Sequence, residues 1–143
     1  MKLVINKCYG GFGLSLLAQQ RYLELVGKKA YFYHQTKYTF RDGVDEYERV
    51  VDLKDNRISI ETYTEDLGES FTPSIGTTRK SYWYAGSLER NNLVLVQVVE
   101  ELGSGRASGG CSALEVVDIP DDIEYEIDDY DGIESVHEAH RSW

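Results

Sequence analysis

Ile123-Glu124-Tyr125-Glu126-Ile127-Asp128-Asp129-Tyr130-Asp131-Gly132-Ile133 reads as a strand running into a tight turn. Apolar residues at 123, 125 and 127 alternate with acids, the period-two pattern of a half-buried strand. Asp131-Gly132 suits the positive-φ positions of a two-residue hairpin turn, so a returning strand is expected within Ile133 to Trp143. Upstream, Leu114-Glu115-Val116-Val117 alternates in the same way, set apart by Pro120-Asp121-Asp122. Strands joined by hairpins are antiparallel. The expected fold class is therefore α+β: a single domain over residues 1–143, with a small β-sheet, two main helices and an antiparallel, strand-rich C-terminal part.

Before this end lies Gly103-Ser104-Gly105-Arg106-Ala107-Ser108-Gly109-Gly110, whose composition predicts a flexible connector over 103–112. Before the connector, Asn91 or Asn92 can cap a helix over Leu93–Leu102 that Gly103 stops. The β-branched Val94, Val96, Val98 and Val99 argue for a strand, whereas Glu100-Glu101-Leu102-Gly103 favours the helix. At the other end of the chain, Leu3-Val4-Ile5 reads as a strand broken by the glycines of Tyr9-Gly10-Gly11-Phe12-Gly13. Ser15 opens a helix in which Leu16, Leu17, Tyr22, Leu23, Leu25 and Val26 recur at helical spacing, with Gly27 as its stop. Ala30-Tyr31-Phe32-Tyr33-His34 is then expected as a strand beside the first, in a βαβ-like unit. Val50-Val51-Asp52-Leu53 and the alternating Arg57–Tyr63 are strand candidates, and 65–80 is expected to be a mobile loop.

The composition limits function. A formal charge of −10, with residues 115–138 holding neither Lys nor Arg, disfavours a surface that coats long nucleic acid, which needs clustered bases. The longest apolar run, Leu93–Val99, is far short of the ~20 residues that cross a bilayer. Met1-Lys2-Leu3-Val4-Ile5-Asn6 has no secretory pattern, so a cytoplasmic protein is expected, with Cys8 and Cys111 as thiols unless the fold brings them together.

Three constellations carry chemistry. Asn6-Lys7-Cys8-Tyr9-Gly10-Gly11-Phe12-Gly13-Leu14-Ser15 has the strand, glycine turn, helix order that cradles anions, but it matches neither the dinucleotide fingerprint nor the Walker A loop. It is either an anion cradle or simply a tight turn. Tyr82-Trp83-Tyr84 beside Arg90, Asn91 and Asn92 offers stacking faces, a guanidinium and amides, a set that grips a nucleotide. The same residues also read as core aromatics and helix caps. His137-Glu138-Ala139-His140 lacks the spacing of a zinc protease helix, and its histidines would face opposite ways on a strand, so no metal site is expected. Cys8 with a histidine is the one nucleophile pair worth naming, and nothing in the spacing selects it. A protein that binds a small polar ligand without catalysis is the expectation.

Three segments together resemble a known family: Asn6 to Ser15; Leu95-Val96-Gln97-Val98-Val99-Glu100-Glu101-Leu102-Gly103; and Ile119-Pro120-Asp121-Asp122-Ile123-Glu124-Tyr125-Glu126-Ile127 through Tyr130-Asp131-Gly132 to His140-Arg141-Ser142-Trp143. They are similar to the small phage proteins that include the first Thoeris anti-defence sponge. That resemblance implies a protein with no enzymatic activity and no cofactor, acting in the cytoplasm of the infected bacterial host. It would sequester the cyclic ADP-ribose isomers (gcADPR) that TIR-domain enzymes release as an alarm. Related sponges also hold cyclic oligonucleotides of the CBASS defence system. It further implies an oligomer built from dimers, a hexamer in some members. The ligand-binding set it suggests is Asn6, Cys8, Tyr9, Gly10, Gly11, Phe12, Gly13, Tyr82, Arg90 and Asn92. In that set an adenine stacks on Tyr82 or its neighbours, Asn92 meets ribose hydroxyls, and Arg90 with the glycine backbone takes the pyrophosphate. Arg57 and Arg106 are candidates for a second, more phosphate-driven nucleotide site. The alternatives are a nucleotide phosphodiesterase that degrades the signal, and a structural or protein-binding phage factor.

Overall fold

The structure, a computed structural model, describes residues 1–37, 46–55, 57, 60–72 and 79–139. It is a single α+β domain with antiparallel sheets and two main helices. Strand β1 (Lys2–Asn6) leads through the glycine turn to helix α1 (Leu16–Leu25). Strands β2 (Tyr31–Lys37), β3 (Glu46–Val50), β4 (Ile60–Tyr63), β5 (Ser70–Phe71) and β6 (Tyr82–Trp83) follow. Then come α2 (Leu93–Leu102), the short α3 (Ser104–Ala107), β7 (Leu114–Asp118), β8 (Tyr125–Tyr130) and β9 (Ile133–Glu138).

Both long helices start and stop where local chemistry dictates. The Ser15 hydroxyl accepts from Ala18 N at 3.1 Å, satisfying an amide that has no partner inside α1. At the far end Gly27 takes φ 82°, and the amide of Lys28 turns back to Leu23 O at 2.8 Å. Asn92 caps α2 by accepting from Val94 N and Leu95 N at 2.9 and 3.1 Å. Four branched valines do not prevent that helix, because Leu95, Val96, Val98 and Val99 are buried against α1, β1 and β7. With Val4, Leu14, Ala18, Tyr22, Leu23, Ala107 and Leu114 they form the main core.

The expected pairing of β1 with the strand after α1 is not what forms. β1 pairs antiparallel with β7, from Lys2 opposite Asp118 to Asn6 opposite Leu114. β2 instead sits at the centre of a five-stranded antiparallel sheet, in the order β5-β3-β2-β4-β6. The side chains explain the choice. β1 is aliphatic and almost wholly buried beneath α2, whereas Tyr33 of β2 meets other rings, Phe71 at 4.9 Å and Tyr63 at 5.7 Å, both edge-on. Tyr47 stacks on Phe71 at 5.0 Å to complete an aromatic cluster.

Two stretches expected to be loose contain packed structure. Within 65–80, β5 pairs with β3, and Arg49 N donates to Glu69 O at 2.9 Å; residues 73–78 lie outside the described residues. The 103–112 connector forms α3 and then docks on the glycine turn. Ser15 N donates to Ala107 O and Gly109 N to Gly13 O, both at 2.9 Å, and Ala107 is fully buried. Of the two middle candidates, Val50 ends β3 and Val51 is 82% exposed, while the Arg57–Tyr63 strand begins at Ile60; Ile58 and Ser59 lie outside the described residues. The C-terminal hairpin forms as its sequence predicts. Tyr130 faces Ile133, and the turn residues Asp131 and Gly132 have φ 50° and 93°.

Candidate functional site

The glycine turn is locked into the fold by its neighbours. Asn6 is fully buried and its amide is saturated: Nδ2 donates to Cys8 O and Gly132 O at 2.7 and 2.6 Å, and Oδ1 accepts from Cys8 N and Ala113 N at 3.2 and 2.8 Å. It ties β1, β7 and the β8–β9 turn together and keeps no hydrogen for a ligand. Beside it Glu134, 4% exposed, accepts from Asn6 N at 2.8 Å and pairs with the Arg90 guanidinium, which lies 3.7 Å from the centre of the Phe12 ring. Arg90 is thus already neutralised and stacked. Gly10 and Gly11 hold φ 115° and 98°, and Gly10 N donates to Asp131 O at 3.2 Å, so the hairpin turn takes an amide that an anion cradle would need. The approach is close enough that a side chain at Gly132 would lie 2.6 Å from Gly10 N. A side chain at Gly10 would meet Cys111, also within 3 Å. Gly13 O accepts from Ser112 Oγ at 2.7 Å. Cys8 is half-buried, and no hydrogen bond joins it to a histidine among the described residues. Tyr9, 63% exposed, stands clear of the packing, and a side chain at Gly11 would meet nothing within 4 Å.

Tyr82 and Asn92 belong to other neighbourhoods. The Tyr82 ring meets Tyr63 edge-on at 5.7 Å, at the border of the aromatic cluster. Its chain neighbour Trp83 stacks on Tyr22 at 5.6 Å, and the Tyr22 hydroxyl accepts from Asn92 Nδ2 at 3.0 Å. With its oxygen capping α2, Asn92 therefore has a structural partner at each end of its amide. The cap reading fits Asn92 and the core reading fits Trp83 against Tyr22, whereas Tyr82 is 38% exposed.

Arg57 and Arg106 do come together. They line one cleft of about 460 Å³ between the start of α1, residues 53–55, 57 and 60, and the 105–110 segment. Leu14, Leu16, Leu17, Leu53 and Ile60 give it an apolar lining; Lys54, Arg57 and Arg106 supply three positive charges and Asp55 one negative. The volume falls within the ~300–1,000 Å³ of typical small-molecule sites. Arg106 is carried there by α3, whose docking is fixed when Ser15 Oγ donates to Arg106 O at 2.6 Å. Its guanidinium is exposed and makes no ion pair among the described residues. Arg57 is held across Asp55, with Nε at 2.9–3.0 Å and Nη2 at 2.6 Å from the carboxylate oxygens. Hydrogen bonds from the Arg57 side chain and then its backbone hold the Asp55 carboxyl below its ordinary 3.8. Leu16 and Leu17, whose first-turn amides have no acceptor within α1, also line the cleft. Sequence reading missed Lys54 and Asp55, although the dense alternation of charge in Asp52-Leu53-Lys54-Asp55 next to Arg57 was a usable signal. A cleft of this kind can hold an anion at its cationic side and a flat or apolar group against its leucines.

His137, singled out by sequence, meets neighbours across the hairpin: Glu126 at 3.3 Å and Asp128 at 3.0 Å. His140 lies outside the described residues. No helix among the described residues is long and apolar enough to cross a membrane. No protein-family model matches the chain, and neither a curated protein nor a solved structure matches it.

Proposed function

We propose that the protein is a stoichiometric sponge for a cyclic nucleotide signal, a cyclic ADP-ribose isomer above all, which it holds without cleaving in the cytoplasm of an infected bacterium. The observation that carries this reading is the convergence of Lys54, Arg57 and Arg106 on one cleft at the start of α1. A pyrophosphate needs charge-assisted donors, and two guanidinium groups and an ammonium supply them. No aromatic ring lines the cleft among the described residues, so a base would rest on Leu14, Leu53 and Ile60. That balance of many cations and no stacking platform suits phosphate-rich ligands, so cyclic oligonucleotides belong to the same proposal. The resemblance to the Thoeris anti-defence sponges supplies the biological setting and the expectation of a dimer-based oligomer.

A sponge must hold its signal below the receptor's threshold. A dissociation constant of ~10 nM corresponds to about −11 kcal/mol. The test is to mix the purified protein with extract from cells whose TIR enzyme has been triggered, wash, denature, and identify the released molecule by mass spectrometry. Release of an intact cyclic ADP-ribose mass, lost in an Arg57→Ala, Arg106→Ala double variant, is expected. Recovery of a hydrolysed product would instead make the protein a phosphodiesterase. An empty supernatant with the signal free in the wash would reject the proposal.

A further inference from the structure

The geometry points to a divalent metal site on the outer face of the β8–β9 hairpin, formed by Glu126, Asp128 and His137 and suited to a borderline transition cation such as Zn2+. Register places the three together: Glu126 faces His137 directly across the ladder and Asp128 lies two residues along the same strand, so all three project from one face. One donor atom from each lies within 4.8 Å of the other two. Ligands about 2.0–2.2 Å from a tetrahedral zinc sit roughly 3.3–3.6 Å apart, so a rotamer-scale adjustment completes the site and leaves a fourth position for water.

Two further features favour a cation. The Glu126 carboxylate lies against Nε2 of His137 and the Asp128 carboxylate against Nδ1, at 3.3 and 3.0 Å. The imidazole thus lies between two carboxylates, a concentration of negative charge around a nitrogen ligand. A metal on one ring nitrogen takes its lone pair and the carboxylate beside it, and the second carboxylate swings from the other nitrogen to join them. In addition, neither carboxylate has a Lys or Arg ion-pair partner among the described residues, and residues 115–138 contain no Lys or Arg. His and carboxylate donors match zinc better than the all-oxygen sets of calcium or magnesium.

The bound ion would staple β8 to β9. The same hairpin presents Asp131 and Gly132 to the glycine turn and Glu134 to Arg90 and Asn6, so the staple would stiffen the buttress of that turn. The experiment titrates Zn2+ at pH 7.5 into the full-length protein and into His137→Gln and Asp128→Asn, by calorimetry and by thermal melting with and without the ion. One ion per chain is expected to bind and to raise the melting temperature. Both exposed-site variants should fold, bind at that site at least tenfold more weakly, and lose the rise. A Zn2+ site resting on Cys8 or Cys111 would survive both substitutions. Equal binding by parent and His137→Gln, or no binding by the parent, overturns the site.

Discussion

The knot around Asn6 and the cleft around Arg106 each set an arginine beside a glycine-rich segment, yet they put it to opposite uses. In the knot, Arg90 is paired with Glu134, stacked on Phe12 and enclosed by the hairpin. In the cleft, Arg106 is exposed on α3 with no ion pair among the described residues, and Arg57 shares a single carboxylate. The lesson is that a charged side chain next to a glycine turn serves a ligand only when no buried counter-charge reaches it first. Glu134 reaches Arg90, and among the described residues no acid pairs with Arg106.

The largest effect expected of this contrast is on stability. Glu134→Ala strands the Arg90 guanidinium and the Asn6 amide in a site that water reaches poorly. Removing one partner of a buried pair costs about 3–5 kcal/mol. Urea denaturation should show a loss of that order. A loss below about 1 kcal/mol would mean that solvent replaces Glu134, and the knot would then be a wet surface on which Arg90 could meet a ligand.

The contrast sharpens in a pair of smaller changes that should separate binding from folding. Arg106→Ala removes an exposed charge and should leave stability within about 0.5 kcal/mol while weakening nucleotide binding about tenfold or more. Asn92→Ala should do the reverse, costing about 1 kcal/mol through the lost cap with binding unchanged in the folded protein. Calorimetry with a cyclic ADP-ribose isomer or cyclic oligonucleotide, set beside denaturation curves, reads both. If Asn92→Ala abolished binding and Arg106→Ala did not, the ligand would belong at the α2 cap and not in the cleft.

These residues also show what could be read from the sequence. Ser15, Asn92 with Gly103, and Asp131-Gly132 act within a few positions of themselves, so both helices and the hairpin turn were legible, although the strand read from Ile123 begins at Tyr125. The partner of β1 was not, because Leu3-Val4-Ile5 would suit any buried aliphatic neighbour and the one it finds begins at Leu114. Asn6 is the clearest case. At the end of a strand before glycines it looks like a ligand residue, and only the return of the chain at Ala113 and Gly132 reveals its four hydrogen bonds as structural. Arg57 and Arg106 were legible as phosphate-binding types. Their meeting was not, since it depends on α3 docking against the cap of α1 in a stretch whose glycines and serines read as a flexible connector.

The smallest expected effect concerns Asp55, the one acid lining the cleft among the described residues. Its carboxyl titrates below 3.8 in the folded protein because Arg57 donates to it. A depressed carboxylate contributes stability that is fully present above its unfolded value of about 3.9 and is lost as pH falls through the folded value. Between pH 7 and 5, therefore, the Arg57–Asp55 pair should persist, and both stability and nucleotide affinity should be flat with respect to this group. Only as pH falls through the folded value, below 3.8, does the carboxyl take up a proton and release Arg57, so stability falls while the affinity of the molecules still folded rises. Asp55→Asn should reproduce that release at neutral pH. It removes a negative charge facing the phosphates and frees a guanidinium, so affinity should increase roughly two- to fivefold, the scale of one exposed ion pair. The opposite sign would be equally instructive. A fall in affinity on Asp55→Asn would show that the carboxylate holds Arg57 in its binding pose, and the cleft would then resemble the knot in needing its counter-charge to keep an arginine in place.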